Sequence, residues 1–250
     1  MTQKAEKIRL DQLLVRLGLA ESRTRAQAIV LAGHVFSGER RLEKAGALLA
    51  PETPIEVRGP DHPWASRGGV KLASALDRFG IEPAEKTALD IGAAHGGFTD
   101  VLLKRGAQRV YAVDVGSGQL AWRLRNDPRV CVLERTNARY LTAKEIPEPV
   151  ELIVCDASFI GLETVLPAPL KLAAPGAELL ALIKPQFEVG KGRVGKKGVV
   201  RDPALHAQVC KRIEDWLDGL PGWRVHGIVE SPILGPEGNK EFLIYARYAG

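Results

Sequence analysis

The chain has 250 residues, 45% hydrophobic and 26% charged, with a net charge of +5. That is the composition of a globular protein with a sizeable core, and its mild basic excess is too small to prove a polyanion partner by itself. Three scattered cysteines, Cys131, Cys155 and Cys210, form no CxxC, which excludes a zinc ribbon and a disulfide framework.

Met1 to Glu6 is polar, so no signal peptide is expected. No apolar run approaches the ~20 residues of a membrane helix, so the expected location is cytoplasmic. Leu10, Leu13, Leu14 and Leu17 form a helical stripe that Gly18 ends. Ser22 is placed to cap a second helix running to Ala32, with Ala26, Ile29 and Val30 apolar and Gly33 as terminator. A strand at His34–Phe36, a turn at Ser37–Glu39 and a last strand within Pro51–Val57 complete a small α+β unit. Through residue 60 there are ten basic against seven acidic residues. Arg23 and Arg25 open the second helix, where they oppose its dipole. That placement makes sense if phosphates lie there. Gly59-Pro-Asp-His-Pro63 is a break, which predicts domains at 1–57 and 67–250 with a linker at 58–66. Trp64 then either pins one domain to the other or joins the core of the larger one.

Ser66-Arg-Gly-Gly-Val-Lys-Leu72 opens the next helix, which runs to Phe79 and stops at Gly80. Leu72, Leu76 and Phe79 share one face; Lys71, Ser74 and Arg78 fall on another. The stretch Ala88-Leu-Asp-Ile-Gly-Ala-Ala-His-Gly-Gly-Phe-Thr-Asp100 reads as a buried strand, a glycine-rich turn and a helix start. Such turns at strand carboxyl ends are where open α/β sheets bind nucleotides. Counted from Gly92, the third position is Ala94 and the sixth Gly97, a poor match to the dinucleotide fingerprint. The spacing suits a cofactor without phosphates, of which S-adenosylmethionine, a cationic sulfonium, is one. Asp114 and Asp156 end later strands, and acids around a cation make electrostatic sense. Cys155, beside Asp156 in an apolar strand, reads as a buried thiol.

Strands are expected at 87–91, 109–114, 129–133, 151–155 and 178–183, with helices between, the pattern of a parallel sheet covered on both faces. Two more, near 223–230 and 241–247, are joined by a loop too short for a crossover helix and should pair antiparallel. The resulting class is α/β, a seven-stranded doubly wound sheet with an antiparallel last strand. Lys184 and Glu241 then share the sheet edge of Gly92 and Asp156. The segment from Lys184 to Arg201 carries six basic residues and one acid, and reads as a long mobile loop that clamps an RNA backbone and orders on binding.

Residues 7–57 resemble the S4-like RNA-binding domain, through Arg9-Leu-Asp-Gln-Leu-Leu14, Ser22-Arg-Thr-Arg-Ala-Gln27 and Ile29-Val-Leu-Ala-Gly-His-Val35. The resemblance makes Arg9, Arg23, Arg25 and Gln27 RNA-contact candidates, beside Lys191, Arg193, Lys196 and Lys197 of the basic segment. Nearly the whole chain resembles the hemolysin A (TlyA-like) family of ribosomal RNA methyltransferases, whose catalytic domain is FtsJ-like. The carrying stretches are Ser66-Arg-Gly-Gly-Val-Lys71, Asp90 to Asp100, Cys155-Asp-Ala-Ser-Phe-Ile160, Ile183-Lys-Pro-Gln-Phe-Glu188 and Gly238-Asn-Lys-Glu241. His95 departs from the small hydroxyl residue common in that loop. The resemblance implies a Lys71–Asp156–Lys184–Glu241 tetrad and ribose 2′-O-methylation of ribosomal RNA, with cytidine favoured. The partner is then ribosomal RNA or a ribosomal subunit, with no metal and no membrane.

The cofactor candidates are Asp90, Gly92, Ala93, Gly96, Gly97, Phe98, Thr99, Asp114, Asn137 and Asp156, with Thr136–Asn137 near the adenine. A ribose hydroxyl must lose its proton as it attacks a methyl group, and a neutral lysine can take it. Lys184 is assigned as that base, Lys71 as its cationic neighbour, and Asp156 and Glu241 as orienting acids. The rival reading is a non-catalytic RNA-binding or ribosome-assembly factor with a vestigial pocket. A membrane-lysing protein is a weaker one.

Overall fold

The computed structural model describes residues 7–59, 62–190, 192–195 and 198–250. Two compact units divide between Pro63 and Trp64. In the first, β1 (Ile8–Arg9) leads into α1 (Leu10–Arg16) and α2 (Arg23–Leu31), followed by β2 (Val35–Ser37), β3 (Arg40–Arg41), β4 (Leu48–Leu49) and β5 (Glu56–Val57). Strand β1 pairs antiparallel with β4, and β2 lies between β3 and β5. Leu10, Leu14, Ala26, Val30 and Val35 meet in one core because both helices repeat apolar residues at helical spacing. Leu17, part of the apolar stripe in the sequence, lies beyond the end of α1 and is exposed. The Ser22 hydroxyl accepts from the Arg25 N–H at 3.2 Å, capping α2 as its position suggests.

The second unit contains α3 (Gly68–Phe79), β6 (Thr87–Ile91), α4 (Gly97–Lys104), β7 (Arg109–Val113), α5 (Trp122–Arg125) and β8 (Val130–Leu133). They are followed by β9 (Val150–Cys155), α6 (Leu162–Val165), β10 (Ala173–Ile183), α7 (Pro185–Glu188), α8 (Pro203–Asp218), β11 (Trp223–Glu230) and β12 (Phe242–Tyr248). The seven-stranded sheet has the order β11-β12-β10-β9-β6-β7-β8. Strands β6 to β10 run parallel, and β12 is antiparallel to both neighbours, as its short connection demands.

Side-chain alternation splits the core in two. Ala88, Leu152, Val154 and Leu180 face α3 and α4; Leu89, Ile153, Cys155 and Leu179 face α6 and α8. Burial on both faces explains why these strands read as continuous apolar runs. The chain builds outward from β6 through β7 to β8, then returns to place β9 on the other side of β6. The loops after β6 and β9 therefore part at a switch point, where open α/β sheets hold ligands.

Three features differ from the sequence reading. Strand β10 starts at Ala173, five residues early, because Pro175 and a left-handed Gly176 (φ 81°) disguise a strand with a register shift between Ala173 and Glu178. The segment 184–201 is not one continuous mobile loop: it begins with α7, and Val199 and Val200 are buried. Trp64 to Ser66 lie in the second unit rather than in a linker. Trp64 packs against the α3–α4 core, leaving no space for a Cβ at Gly69, and Ala65 N–H donates to Asp100 Oδ2 at 2.8 Å.

Candidate active site

The carboxyl edge of the sheet gathers the loops that follow β6, β7, β8, β9 and β10, together with the start of antiparallel β12. A cleft of about 580 Å³ opens there, lined by Gly92, Ala94, Asp114, Gln119, Asn137, Asp156, Phe159 and apolar side chains such as Ile91 and Val113. That volume and that mixture of apolar wall with few polar groups suit a small ligand.

The floor is built by the glycine turn. Gly92 has φ 82°, and a Cβ there would lie 3.0 Å from the backbone of Asp156 and Ala157, so only glycine lets the β6 and β9 loops approach this closely. Ala94 and Gly96 also adopt left-handed backbone, at φ 45° and 88°. Asp114 holds the turn open: its Oδ2 accepts from Ala94 N–H at 2.9 Å and its Oδ1 from Gly116 N–H at 2.7 Å. Each carboxylate oxygen keeps a second lone pair that can face a ribose. Asn137 lines the cleft, and its Oδ1 accepts from Arg139 N–H, capping a short 3-10 turn.

Not every cofactor candidate reaches the cleft wall. Asp90 and Thr99 are wholly buried beneath the turn, where the Thr99 hydroxyl donates to Asp90 Oδ2 at 2.6 Å. Asp90 Oδ1 finds no partner among the described residues. Burial pushes the Asp90 carboxyl up to about 7; the Thr99 hydrogen bond opposes this, and the Asp156 and Asp114 charges add to it. Gly96 is packed against Leu120 and Leu124. Ala93, Gly97 and Phe98 line a smaller recess with Ser66, Gly68 and Asp156 beside the main cleft. His95 is exposed, and its backbone carbonyl accepts from Ala121 N–H at 3.3 Å. Cys155 is fully buried, which pushes its thiol up to about 12 and leaves it inert.

The four charged residues of the tetrad form two ion pairs. Lys71 Nζ lies 2.5 Å from Glu241 Oε2, with both residues buried. Lys184 Nζ lies 2.6 Å from Asp156 Oδ1, 3.0 Å from the Asp156 carbonyl and 2.9 Å from Ser158 Oγ. Gly68, one turn before Lys71, abuts Asp156: a Cβ there would sit 3.4 Å from its Oδ2. Gln186, two residues after Lys184, places Nε2 3.4 Å from Glu241 Oε1. Helix α3 and the start of α7 thus bring both pairs into one neighbourhood. Lys71, set on a polar helix face by the sequence, is instead buried, because its partner is a buried carboxylate 170 residues away. Buried ion pairs are weak contributors to stability, so two of them at a sheet edge beside a cleft are candidates for chemistry.

Sequence reasoning gave no role to Ser158, Phe159, Gln186 or Gln119. The first three lie inside stretches that carry the family resemblance, which was the available signal; Gln119 had none. Phe159 is 89% exposed, has φ 65° and packs its ring 5.0 Å from that of Phe187.

In the first unit, fully buried Asp11 collects three of the RNA-contact candidates. Arg9 Nε lies 3.0 Å from its Oδ1, and Arg9 Nη2, Gln27 Nε2 and Arg23 Nη2 lie 2.9, 3.0 and 3.3 Å from its Oδ2. The Arg9 hydrogen bond is the largest influence, and with Gln27 and Arg23 it holds the Asp11 carboxyl well below the usual carboxylate range. Both arginines stay half exposed, and Arg25 is exposed. Arg193 is exposed too, its Nη1 3.4 Å from Gln208 Oε1; Lys191, Lys196 and Lys197 lie outside the described residues.

Comparison with known proteins decides the family. The model of the FtsJ-like methyltransferase family matches residues 64–248, and that of the S4 domain matches residues 8–55. The chain belongs to the FtsJ-like methyltransferase family. It is 48% identical to the 16S/23S rRNA (cytidine-2′-O)-methyltransferase TlyA of Mycobacterium tuberculosis, over 97% of this chain and 91% of the relative. Hemolysin A of Brachyspira hyodysenteriae is 40% identical, over 95% of this chain and 99% of its own length. The solved structure of a candidate hemolysin from Streptococcus thermophilus superposes with a TM-score of 0.75 at 39% identity, covering 98% of this chain and 89% of that one. In this FtsJ-like chain, no group of three or more His, Cys, Asp or Glu among the described residues could hold a metal ion.

Proposed function

We propose that this chain is a ribosomal RNA ribose 2′-O-methyltransferase that uses S-adenosylmethionine and acts on cytidine. The observation that carries the reading is the Lys184–Asp156 ion pair, 2.6 Å long, at the rim of an acid-lined cleft, in a chain 48% identical to a curated enzyme of that activity.

The residues fit the cofactor. Asp114 and Asp156 line the cleft with negative charge that suits a cation, and Asp90 lies buried beneath the turn with one carboxyl oxygen unpartnered among the described residues. When bound, S-adenosylmethionine supplies an electrophilic methyl group on a sulfonium. Asp114 would hold its ribose and Asn137 would contact its adenine, over a floor formed by the turn from Gly92 through Thr99. Lys184 Nζ, in its neutral form, would take the 2′-hydroxyl proton as the hydroxyl accepts that methyl group. Asp156 and Ser158 fix the direction of Nζ, and the Ser158 hydroxyl serves either protonation state because it both donates and accepts. Lys71, held by Glu241, keeps a positive charge near the base. Alignment of oxygen, carbon and sulfur carries much of the rate.

Arg9, Arg23, Arg25 and Gln27 would hold structured RNA, and Arg193, Lys191, Lys196 and Lys197 would hold its backbone. The exposed Phe159 ring, backed by Phe187, offers a platform for an unstacked base.

Lys184→Ala should lower methyl transfer at least ~1000-fold while RNA affinity stays within about twofold, because it removes the base and no phosphate contact. Filter binding and incorporation of labelled methyl measure the two. Retained transfer removes Lys184 as the base. Binding without transfer by the wild type instead favours the assembly-factor reading.

A further inference from the structure

Asn239 stands two residues before Glu241 and is 3% exposed. Its amide is fully used. Oδ1 accepts from the Val200 N–H at 3.1 Å; Nδ2 donates to the carbonyls of Gly198 and Pro236, each at 3.1 Å. Gly198 to Val200 is the far end of the basic segment that starts at Lys184. That end is gripped from a second side by α8, where His206 Nε2 lies 2.9 Å from the Val200 carbonyl. Val199 and Val200 are themselves buried.

On its other side Asn239 closes the turn that presents Glu241. Its carbonyl accepts from Gly235 N–H at 2.8 Å, and its own N–H donates to the Pro236 carbonyl at 3.2 Å. Gly235 lies flat against Glu241: a Cβ there would sit 2.2 Å from Oε1. The position of this turn therefore sets the Glu241 carboxylate, which in turn holds Lys71.

We infer that Asn239 is a positioning residue for methyl transfer, tying the end of the basic segment to the turn that sets Glu241 and Lys71. The inference rests on the RNA methyltransferase reading above. Asn239 touches none of the reacting atoms. Its effect is mechanical: RNA gripped by the exposed Arg193 of this segment is held in register with the lysine–carboxylate pairs. The requirement is for an amide. An Asp of the same shape would turn an oxygen toward two carbonyl oxygens where Nδ2 now donates, losing two hydrogen bonds and adding repulsion. The Val200 contact could persist, so folding is only locally disturbed.

The test uses the full chain as wild type, Asn239→Asp, Asn239→Ala and Lys184→Ala, with ribosomal RNA as substrate. Steady-state kinetics give kcat and the KM for RNA; calorimetry gives S-adenosylmethionine affinity; thermal unfolding checks the fold. Asn239→Asp is expected to lower kcat/KM for RNA by roughly 10- to 100-fold, as for a catalytic group displaced by an ångström or less. Cofactor affinity should stay within about twofold, since no Asn239 contact reaches the cleft. A merely structural role would lower the melting temperature and leave kcat and KM of the folded protein unchanged, and that outcome overturns the inference. So does an equal loss of cofactor affinity. If Asn239→Ala folds poorly, Asn239→Asp carries the test alone. A wild type that transfers no methyl group to RNA overturns the functional reading and this inference together. An active wild type with an unimpaired Asn239→Asp overturns the inference alone.

Discussion

Asp90 is a carboxyl buried beneath the candidate cofactor turn. Burial pushes its carboxyl up to about 7 in the folded chain, against about 4 for an unfolded aspartate. Between those values the unfolded chain has already lost a proton that the folded chain keeps. The stability tied to Asp90 is therefore complete below about pH 4 and lost as pH rises to about 7. A cation bound in the cleft above the turn would favour the ionised form through space, so binding below pH 7 should release part of that proton. Affinity for S-adenosylmethionine should rise by up to about tenfold from pH 6 to pH 8, since one pH unit below the folded value costs one factor of ten. Asp90→Asn should flatten that profile and stabilise the free protein at pH 8. Calorimetry at both pH values with both proteins checks this; a flat wild-type profile would show that the cation does not sit near Asp90. The protonation itself was invisible in the sequence, because it arises from burial beneath α4 and from two acids on other strands.

At the scale of elements, the site depends on two loops parting at the switch point between β6 and β9. Gly92 allows their contact by having neither a Cβ nor a barrier to φ 82°. Gly92→Ala should cost about 1–2 kcal/mol of stability from strain in a left-handed residue. It should also weaken S-adenosylmethionine binding more than about tenfold, as the turn moves off Asp156. Thermal unfolding and calorimetry measure the two, and unchanged affinity would place the cofactor away from this turn. The strands that frame the switch point were legible because each is a short apolar run bounded by turn residues. The start of β10 was not, since a proline and a glycine interrupt the run. The burial of three side chains escaped for a common reason. Lys71, Asp11 and Asn239 are polar residues buried by partners, and those of Lys71 and Asn239 lie 170 and 39 residues away in the chain. Local periodicity carries the burial of apolar faces and contains nothing about a distant partner. The stretches around Lys184 and Glu241 were recognisable as family patterns, yet the pairing of each lysine with its acid was fixed only by the fold, which sets β9 beside β10 for Asp156 and Lys184 and β12 beside β10 to bring Glu241 to the same edge.

Across the molecule, two units contribute different chemistry. The S4 domain presents arginines arranged around buried Asp11, and the FtsJ-like domain joins an acid-lined cleft to two lysine–carboxylate pairs. Relatives carry both enzyme and hemolysin names. Among the described residues no helix is long and apolar enough to cross a membrane. The most direct test is nucleotide-resolution mapping of ribose methylation in unmodified ribosomal RNA, treated with S-adenosylmethionine and either the wild type or Lys184→Ala. The expected result is a 2′-O-methylcytidine that appears with the wild type and is absent with Lys184→Ala. No new ribose methylation with the wild type, or the same mark with both proteins, would contradict the account.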